Sequence, residues 1–281
     1  MAQQCDVPPR GDGLWLHLIT FDPFRTIGMP GVRYVRPENY LVERQRLQEA
    51  DWLLFPEYWQ VNSLHYALGC AIFPSVSSYH LGHDKIEMTR AFQALCPRHV
   101  PDTLILPATP AAVEEVLDVL GLPCVLKVPR SSMGQGVALI RTVAELRDWA
   151  SRQPVLYAQE LLPIRKDIRV VWVGDGVFTA YWREAAEGAF HNNVAQGGRI
   201  HFDAVPPQAL ELVAEVASRL KIDHAGFDVA MVGEHPYLLE FNTLFGNAAL
   251  NRHGLRVQDA ILRWLLARQP TPRSPSPLLA A

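Results

Sequence analysis

Residues 225–242, "AGFDVAMVGEHPYLLEFN", constrain the fold more than any other stretch of this 281-residue chain. Two apolar, β-rich runs flank a Gly-Glu pair, which predicts a β-hairpin. Asp228 interrupts the first run, and Glu240 and Asn242 interrupt the second. Residues two apart on a strand point to the same face, so Glu240 and Asn242 share one face. Burying two carboxylates without a cation is unfavourable, so the hairpin demands a compensating positive charge or a polar network.

The hairpin register decides whether these side chains meet. Residue numbers of directly opposed pairs on antiparallel strands sum to a constant. Asp228 opposite Glu240 (or Asn242) therefore predicts an odd number of loop residues, with the loop centred on Glu234. In that register Leu239 and Phe241 face the core, and three oxygen-bearing side chains converge. Carboxylate and amide oxygens are the ligands that Mg²⁺ takes, and a capped loop or buried polar network remains the alternative.

The first 95 residues show the order of a small parallel α/β unit. Apolar strands are predicted at 14–20, 51–56 and from 71 onward, with helices predicted at 37–50 and 61–70 between them. The stretch from 21 to 34 is rich in Gly and Pro and is predicted to be a loop, as is the end of 71–79.

After a predicted helix at 83–95, helices are mixed with antiparallel hairpins, an α+β pattern. Thr109 and Thr142 are predicted to cap helices, and 167–184 is predicted to be a hairpin turning at Gly-Asp-Gly. A hydrophobic fraction of 49% and a charged fraction of 20% are ordinary for globular domains. We therefore expect a fold of α/β and α+β parts, with an N-terminal domain at 1–95, a larger domain at 96–269 and a flexible tail at 270–281.

Two further segments suggest anion binding. In "LKVPRSSMGQGV" Lys127 ends a strand and a Ser/Gly loop follows, so backbone N–H groups and an ammonium could meet phosphate oxygens. A turn that needs its glycines only for backbone reasons is the alternative. In "DIRVVWV" Asp167 and Arg169 share a face, and Arg183 returns on the hairpin partner. Arginines in this arrangement suit carboxylate or phosphate recognition, and a surface ion pair with Asp167 or Glu184 is the alternative.

Several function classes are excluded or disfavoured. The formal net charge of -3 gives no polyanion-binding surface, so no nucleic acid partner is expected. No apolar run approaches the length of a membrane span, so no membrane partner is expected. The four cysteines lie far apart without a CxxC pair, which is typical of free thiols in a reducing compartment and predicts a cytoplasmic protein. No Ser-His-Asp, Cys-His or HExxH pattern is present.

The order of the motifs is more specific than any one of them. "DK" at 84–85, Lys127 with its loop, "QELL", "KDIRV", "NNVAQGG" and "GFDVA…LLEFN" resemble, in that order, the ATP-grasp superfamily and within it the RimK-type α-L-glutamate ligases. The resemblance covers roughly residues 75–265. It implies an ATP-grasp fold in which two α+β subdomains clasp ATP behind a small N-terminal parallel α/β domain.

The resemblance also implies residue roles. ATP contacts are implied for Lys85, Lys127, Ser131, Ser132, Gly134, Gly136, Gln159, Glu160, Leu162 and Asp167. Within that set the two lysines hold phosphates, 159–162 reads adenine and Asp167 meets the ribose. Catalytic roles are implied for Arg169, Arg183 and Asn193, the last beside the double glycine at 197–198. Metal binding is implied for Asp228, Glu240 and Asn242, which would hold two Mg²⁺ ions, with Mn²⁺ as a possible substitute.

The implied activity is a Mg-ATP-dependent carboxylate–amine ligase that forms an amide through an acyl phosphate. Its substrates would be a small-molecule or peptide carboxylate and an amine, with glutamate or another amino acid added to the acceptor. Serines at the start of the phosphate loop, where the family usually has glycine, motivate one alternative, a nucleotide-binding regulatory protein or scaffold with a degenerate site. A further alternative is an ATP-grasp phosphotransferase that stops at a phosphorylated product. Glu57 to Trp59 follow a predicted strand and either shape the acceptor site or pack against the larger domain. A homodimer or homotetramer is compatible with the sequence.

Overall fold

The computed structural model describes residues 16–131, 136–184 and 199–268. These residues form three β-sheets with helices packed on them. Among them, no helix has both the length and the apolar character that crossing a membrane requires.

The first sheet is parallel, with strand order β2-β1-β3-β4. Its strands are β1 (Leu18–Thr20), β2 (Val32–Tyr34), β3 (Trp52–Leu54) and β4 (Ile72–Phe73). Helix α1 (Arg44–Glu49) lies between β2 and β3, and α2 (Val76–His83) and α3 (Lys85–Leu95) follow β4. The predicted α/β order is confirmed, with local corrections. β2 lies in the predicted loop, α2 begins where a loop was expected, and the helix predicted over 37–50 is a short 3₁₀ turn followed by α1.

The second sheet is antiparallel, with strand order β5-β8-β6-β7. Its elements are β5 (Thr103–Pro107), α4 (Pro110–Val119), β6 (Cys124–Lys127), β7 (Val137–Ile140), α5 (Val143–Arg152) and β8 (Val155–Glu160). Both predicted caps are confirmed: the Thr109 side chain accepts from the Ala112 N–H, and Thr142 forms a capping box with Glu145.

The third sheet is also antiparallel and has strand order β11-β10-β9-β12-β13. Its elements are β9 (Lys166–Val173), β10 (Gly176–Glu184), β11 (Arg199–His201), α6 (Pro207–Arg219), β12 (His224–Val232), β13 (His235–Asn242), α7 (Ala248–Arg252) and α8 (Val257–Ala267). Both predicted hairpins, β9–β10 and β12–β13, are present. The β11 strand directly follows the NNVAQGG motif at 192–198, which lies outside the described part of the chain.

The third sheet is covered on both faces. Val170, Phe227 and Phe241 point to the core that includes α3 and α6, whereas Val171 and Val173 point to the core that includes α8 and the first sheet. Side chains alternate along each strand, so Arg169 and Asp228 lie on the same face as Val171. The apolar residues of that face pack against the first sheet and α8, and the charged residues lie further along the same face.

The β12–β13 register differs from the expectation in an informative way. Asp228 does pair with Glu240, as predicted, but the turn at 233–234 has two residues, because Val232 pairs with His235. The register shifts between Asp228 and Val229, and Leu239 is the extra residue of a β-bulge. The predicted odd loop is therefore wrong. Leu239 is only partly buried, and Leu238 joins Phe241 in the core instead.

Candidate active site

A row of charged side chains crosses the third sheet. Arg169 on β9 is opposite Asp228 on β12, and Asp228 is opposite Glu240 on β13. Two residues along β9 from Arg169, Asp167 is opposite Arg183 on β10. All five side chains share one face, so the pairing of four strands brings residues far apart in sequence into a single row.

Asp228 lies at the centre of this row. The Arg169 Nε donates to Asp228 Oδ1 at 2.6 Å and its Nη2 donates to Oδ2 at 3.2 Å. Arg183 Nη2 lies 2.9 Å from the same Oδ2, and it also forms a two-pronged pair with Asp167 at 2.8 and 2.7 Å. All four side chains are buried. Two guanidiniums and two carboxylates thus form a neutral cluster in a region with little water.

Burial and neighbouring charges shift the pKa values of Asp228 and Arg183 in opposite directions. Burial alone would raise the pKa of Asp228, but the two guanidiniums together hold it below the usual value. Burial raises the pKa of Asp167, which has one arginine partner and is repelled by Asp228. Burial would lower the pKa of Arg183, but Asp228 and Asp167 raise it. Of the two carboxylates in the cluster, Asp228 is therefore the one whose charged form is favoured.

Glu240 and Asn242 line an open cavity of about 270 Å³ at the end of this row. The Glu240 side chain is 28% exposed, and its Oε2 lies 3.7 Å from the Nζ of Lys85. The Asn242 amide donates to Glu240 Oε1 at a long 3.5 Å. Lys85 is the first residue of α3, which Asp84 caps. The helix start thus brings an ammonium to the acidic end of the row.

The second sheet contributes Lys127 at the end of β6. Its side chain is buried, and burial lowers the pKa of its ammonium, while Glu240 and Asp228 raise it. Within the described part of the chain, no carboxylate lies at ion-pair distance from it. Lys85 also donates to the Ser131 carbonyl at 2.5 Å, at the start of the predicted phosphate loop. A Cβ at Gly136 would clash with the Ser131 side chain, so the loop closes tightly where it rejoins β7.

The predicted adenine-reading segment is the end of β8. Gln159 is buried and donates to Thr103 Oγ1 at 2.8 Å, and the Glu160 N–H donates to the Asp102 carbonyl at 2.9 Å. The Leu162 carbonyl accepts from the Ile164 N–H as the chain turns towards β9. The structure thus fixes the backbone of this segment, and its role in binding adenine stays a prediction.

The structure gathers a central set of the predicted residues at one place: Lys85, Lys127, Ser131, Asp167, Arg169, Arg183, Asp228, Glu240 and Asn242. Asp167 forms a buried ion pair with Arg183. The alternative prediction for Arg183, an ion pair with Asp167 on the surface, is therefore correct in its partner and wrong in its location. Ser132, Gly134, Asn193 and the glycines 197 and 198 lie outside the described residues.

Sequence reasoning missed four residues that line the same cavity. Gly82, His83, Met88 and Arg130 contribute to its walls, and Arg130 pairs with Asp84 at 3.1 Å. His83 and Arg130 flank the predicted Lys85 and Ser131 within two residues. Proximity in sequence to two predicted site residues was the available signal.

The oxygen donors Asp228, Glu240 and Asn242 suit a hard cation such as Mg²⁺. Among the described residues no group of three or more His, Cys, Asp or Glu side chains is placed to hold a metal, so the amide of Asn242 is needed to complete a donor set. Glu240 and Asn242 reach the cavity. Asp228 already accepts three guanidinium contacts, which leave about one of the roughly four acceptor sites on its two oxygens for a cation.

Comparison with known proteins supports the assignment of the fold. The model of the RimK-like ATP-grasp domain family matches residues 88–265. Ribosomal protein bS6–L-glutamate ligases of Escherichia coli (strain K12 / DH10B) and Shigella boydii are 28% identical to this chain over 165 residues, 56% of this chain and 55% of theirs. The chain thus spans about half the length of these curated relatives.

Solved structures share the fold at low sequence identity. A RimK-domain ATP-grasp protein from Sphaerobacter thermophilus superposes with a TM-score of 0.61 at 18% identity, covering 78% of this chain and 82% of that one. A D-alanine–D-alanine ligase from Bacillus anthracis superposes with a TM-score of 0.67 at 16% identity, covering 90% and 98%. The predicted ATP-grasp fold is confirmed.

Proposed function

This chain belongs to the RimK-like ATP-grasp family, and on that basis we propose that it is a Mg-ATP-dependent ligase that joins a carboxylate to an amine. The observation that carries the proposal is the charged row from Arg183 to Glu240, which faces the ammonium groups of Lys85 and Lys127. Such a site suits phosphoryl transfer, in which catalysis consists almost entirely of positioning and charge stabilisation.

The reaction requires activation of a poor electrophile. The γ-phosphoryl group passes from ATP to a carboxylate oxygen, ADP leaves, and an acyl phosphate results. The amine then attacks the acyl carbon, phosphate leaves with the C–O electron pair, and the nitrogen loses a proton. No covalent attachment to the enzyme is required, which agrees with the absence of a nucleophilic triad in the sequence.

Each basic side chain has a separate task in this scheme. Lys85, at the start of α3, and Lys127, at the end of β6, would neutralise the phosphates of ATP. Arg169 and Arg183 are held in fixed orientations by Asp228 and Asp167, so they present rigid donors to the carboxylate or acyl phosphate. Holding both arginines in place before substrate arrives lowers the reorganisation needed during reaction.

Glu240 and Asn242, with Asp228, would hold the divalent ions. When bound, Mg²⁺ would neutralise negative charge on the phosphates of ATP. The donor atoms are all oxygen, which fits this ion rather than a thiolate-seeking one.

An amino acid is the proposed carboxylate or amine substrate, and a peptide or small molecule is the proposed acceptor. Glutamate is a natural first candidate because the relatives named above are glutamate ligases. The products distinguish the alternatives: a phosphotransferase would release a stable phosphorylated product, and a degenerate site would bind Mg-ATP without turnover.

The test is ADP release, measured with a panel of amino acids and dipeptides as acids and amines, followed by mass spectrometry of the product. Glu240→Gln removes one carboxylate from the open end of the row and is expected to lower kcat/KM by about 100-fold or more. Glu234→Gln, in the exposed turn of the same hairpin, is the matched control and should behave as wild type. Full activity of Glu240→Gln would rule out the metal assignment, and an amide-free product would rule out ligation.

A further inference from the structure

The first sheet presents the carboxyl ends of its strands to the cavity. Arg25, in the loop after β1, donates to the carbonyls of Leu244 and Phe245 at 2.9 and 3.0 Å, immediately beyond Asn242. α2, which follows β4, ends at His83 in the cavity wall. Ligands of parallel α/β sheets bind at this edge. The loops of the first sheet therefore form one side of the candidate active site.

An aromatic stack lies on that side. The Tyr58 and His83 rings stack with centroids 3.7 Å apart and planes 9° apart, and His83 itself lines the cavity with Lys85, Glu240 and Asn242. Tyr58 remains 42% exposed and its neighbour Trp59 is 57% exposed. The two flat rings thus give the cavity an apolar rim next to its charged floor.

The backbone holds this rim in a defined and unfavourable conformation. Phe55, the residue that follows β3, has φ of +50°, a value that bulky residues rarely adopt. The next residue, Pro56, is fixed by a 2.7 Å hydrogen bond from the Tyr79 hydroxyl to its carbonyl. Glu57 and Gln60 then form a capping box around the turn that contains Tyr58. Strain maintained by several surrounding contacts is characteristic of binding and catalytic sites.

We propose that Tyr58 and His83 form the substrate-selecting wall of the site, and that the substrate placed against it carries an aromatic side group close to the carboxylate or amine that reacts. This inference rests on the proposed ligase function and specifies the class of its second substrate. A flat ring gains most from a stacked aromatic surface because an aromatic pair adds attraction beyond area burial. The adenine of ATP does not compete for this surface, since its predicted place is at the end of β8.

The test measures binding separately from turnover. Saturation-transfer NMR is recorded on the full chain with Mg²⁺, a non-hydrolysable ATP analogue and the dipeptides Phe-Gly, Gly-Phe, Ala-Gly and Gly-Ala. Ring protons of at least one phenylalanine dipeptide are expected to receive saturation, and its Kd should be about fivefold lower than that of its alanine counterpart. Tyr58→Ala should abolish this difference while the affinity for the ATP analogue stays unchanged.

Tyr66→Ala is the matched control, because Tyr66 is 68% exposed on the same part of the chain but has its ring contact with His65. It should retain the preference for phenylalanine. Equal affinity for the phenylalanine and alanine dipeptides, no saturation transfer to any ring, or an unchanged preference in Tyr58→Ala would each overturn the proposal. So would an oligomer that Tyr58→Ala dissociates in sedimentation, which would make the rim an interface between copies. Aromatic binding without any ADP release would instead count against the ligase function alone.

Discussion

Replacing Asp228 by asparagine tests whether the charged row is a single electrostatic unit. The substitution preserves the side-chain shape but removes the charge that both Arg169 and Arg183 contact. Arg183 keeps Asp167, whereas no other carboxylate among the described residues forms an ion pair with Arg169. The cluster changes from two positive and two negative groups to two positive and one negative.

The expected loss of stability in Asp228→Asn follows from the burial of its ion pairs. Removing one partner of a buried ion pair destabilises a protein by about 3–5 kcal/mol, because the remaining charge is left without compensation. Asp228 has two guanidinium partners at 2.6 and 2.9 Å, so we expect a value in that range. For a chain of this size the melting temperature should fall by roughly 10 °C.

Urea unfolding monitored by circular dichroism gives the free energy of unfolding for each variant. Asp148→Asn is the control, because Asp148 pairs with Arg152 on the exposed side of α5 and should lose at most about 0.5 kcal/mol. Arg169→Met combined with Asp228→Asn should be less destabilising than the sum of the single changes. A loss below about 1 kcal/mol for Asp228→Asn, or strict additivity in the double variant, would refute the single-unit interpretation.

Two further predictions concern residues beside the row. His224 is fully buried with its Nδ1 donating to a backbone carbonyl and its Nε2 unpartnered within the described residues, and burial, assisted by Arg25, lowers its pKa to about 3. The stability that neutral His224 contributes is therefore complete above about pH 6.5 and is lost as the pH falls towards 3. Between pH 7 and pH 4, the free energy of unfolding of the wild type, measured by urea titration, should fall by about 3 kcal/mol more than that of His224→Phe. Parallel pH profiles for the two proteins would contradict this. A Cβ on Gly226 would lie 2.7 Å from Nη1 of Arg169, so Gly226→Ala should displace the guanidinium and lower kcat/KM for ADP release by about tenfold or more. Gly176→Ala, which meets open space, should not change the rate, and equal rates for both variants would contradict the assigned role of Arg169.

The elements that could be predicted correctly from the sequence have either a long run of patterned residues or a signal that depends only on neighbouring residues. The β9–β10 and β12–β13 hairpins have extended apolar runs and glycine turns, and Thr109 and Thr142 are helix caps that depend only on neighbouring residues. β2 has three residues between glycines and prolines, too few to show a period. α2, "VSSYHLGH", has small polar residues where an amphipathic helix would have an apolar stripe.

The site was predictable to the extent that it depends on alternation within one hairpin. Asp228 faces Glu240 as predicted, but the pairing arises from a two-residue turn and the β-bulge at Leu239, and not from the odd loop on which the prediction rested. The clamp of Arg169 and Arg183 on Asp228 depends on the pairing of β9 with β12, which are separated by α6 and two strands, and no local pattern encodes that pairing. The Tyr58–His83 stack depends in the same way on two loops of the first sheet coming together.

The β-bulge at Leu239 has a consequence for recognising sites of this kind in other genomes. A hairpin with a two-residue turn and one extra residue in the strand presents the same acidic pair as an odd-loop hairpin without a bulge. Deleting Leu239 would restore a regular ladder with Glu240 still opposite Asp228. An insertion or deletion of one residue between the two acids is therefore neutral for their pairing when it falls at the bulge. A search profile that allows a gap at this position will retain true members that a fixed spacing would discard.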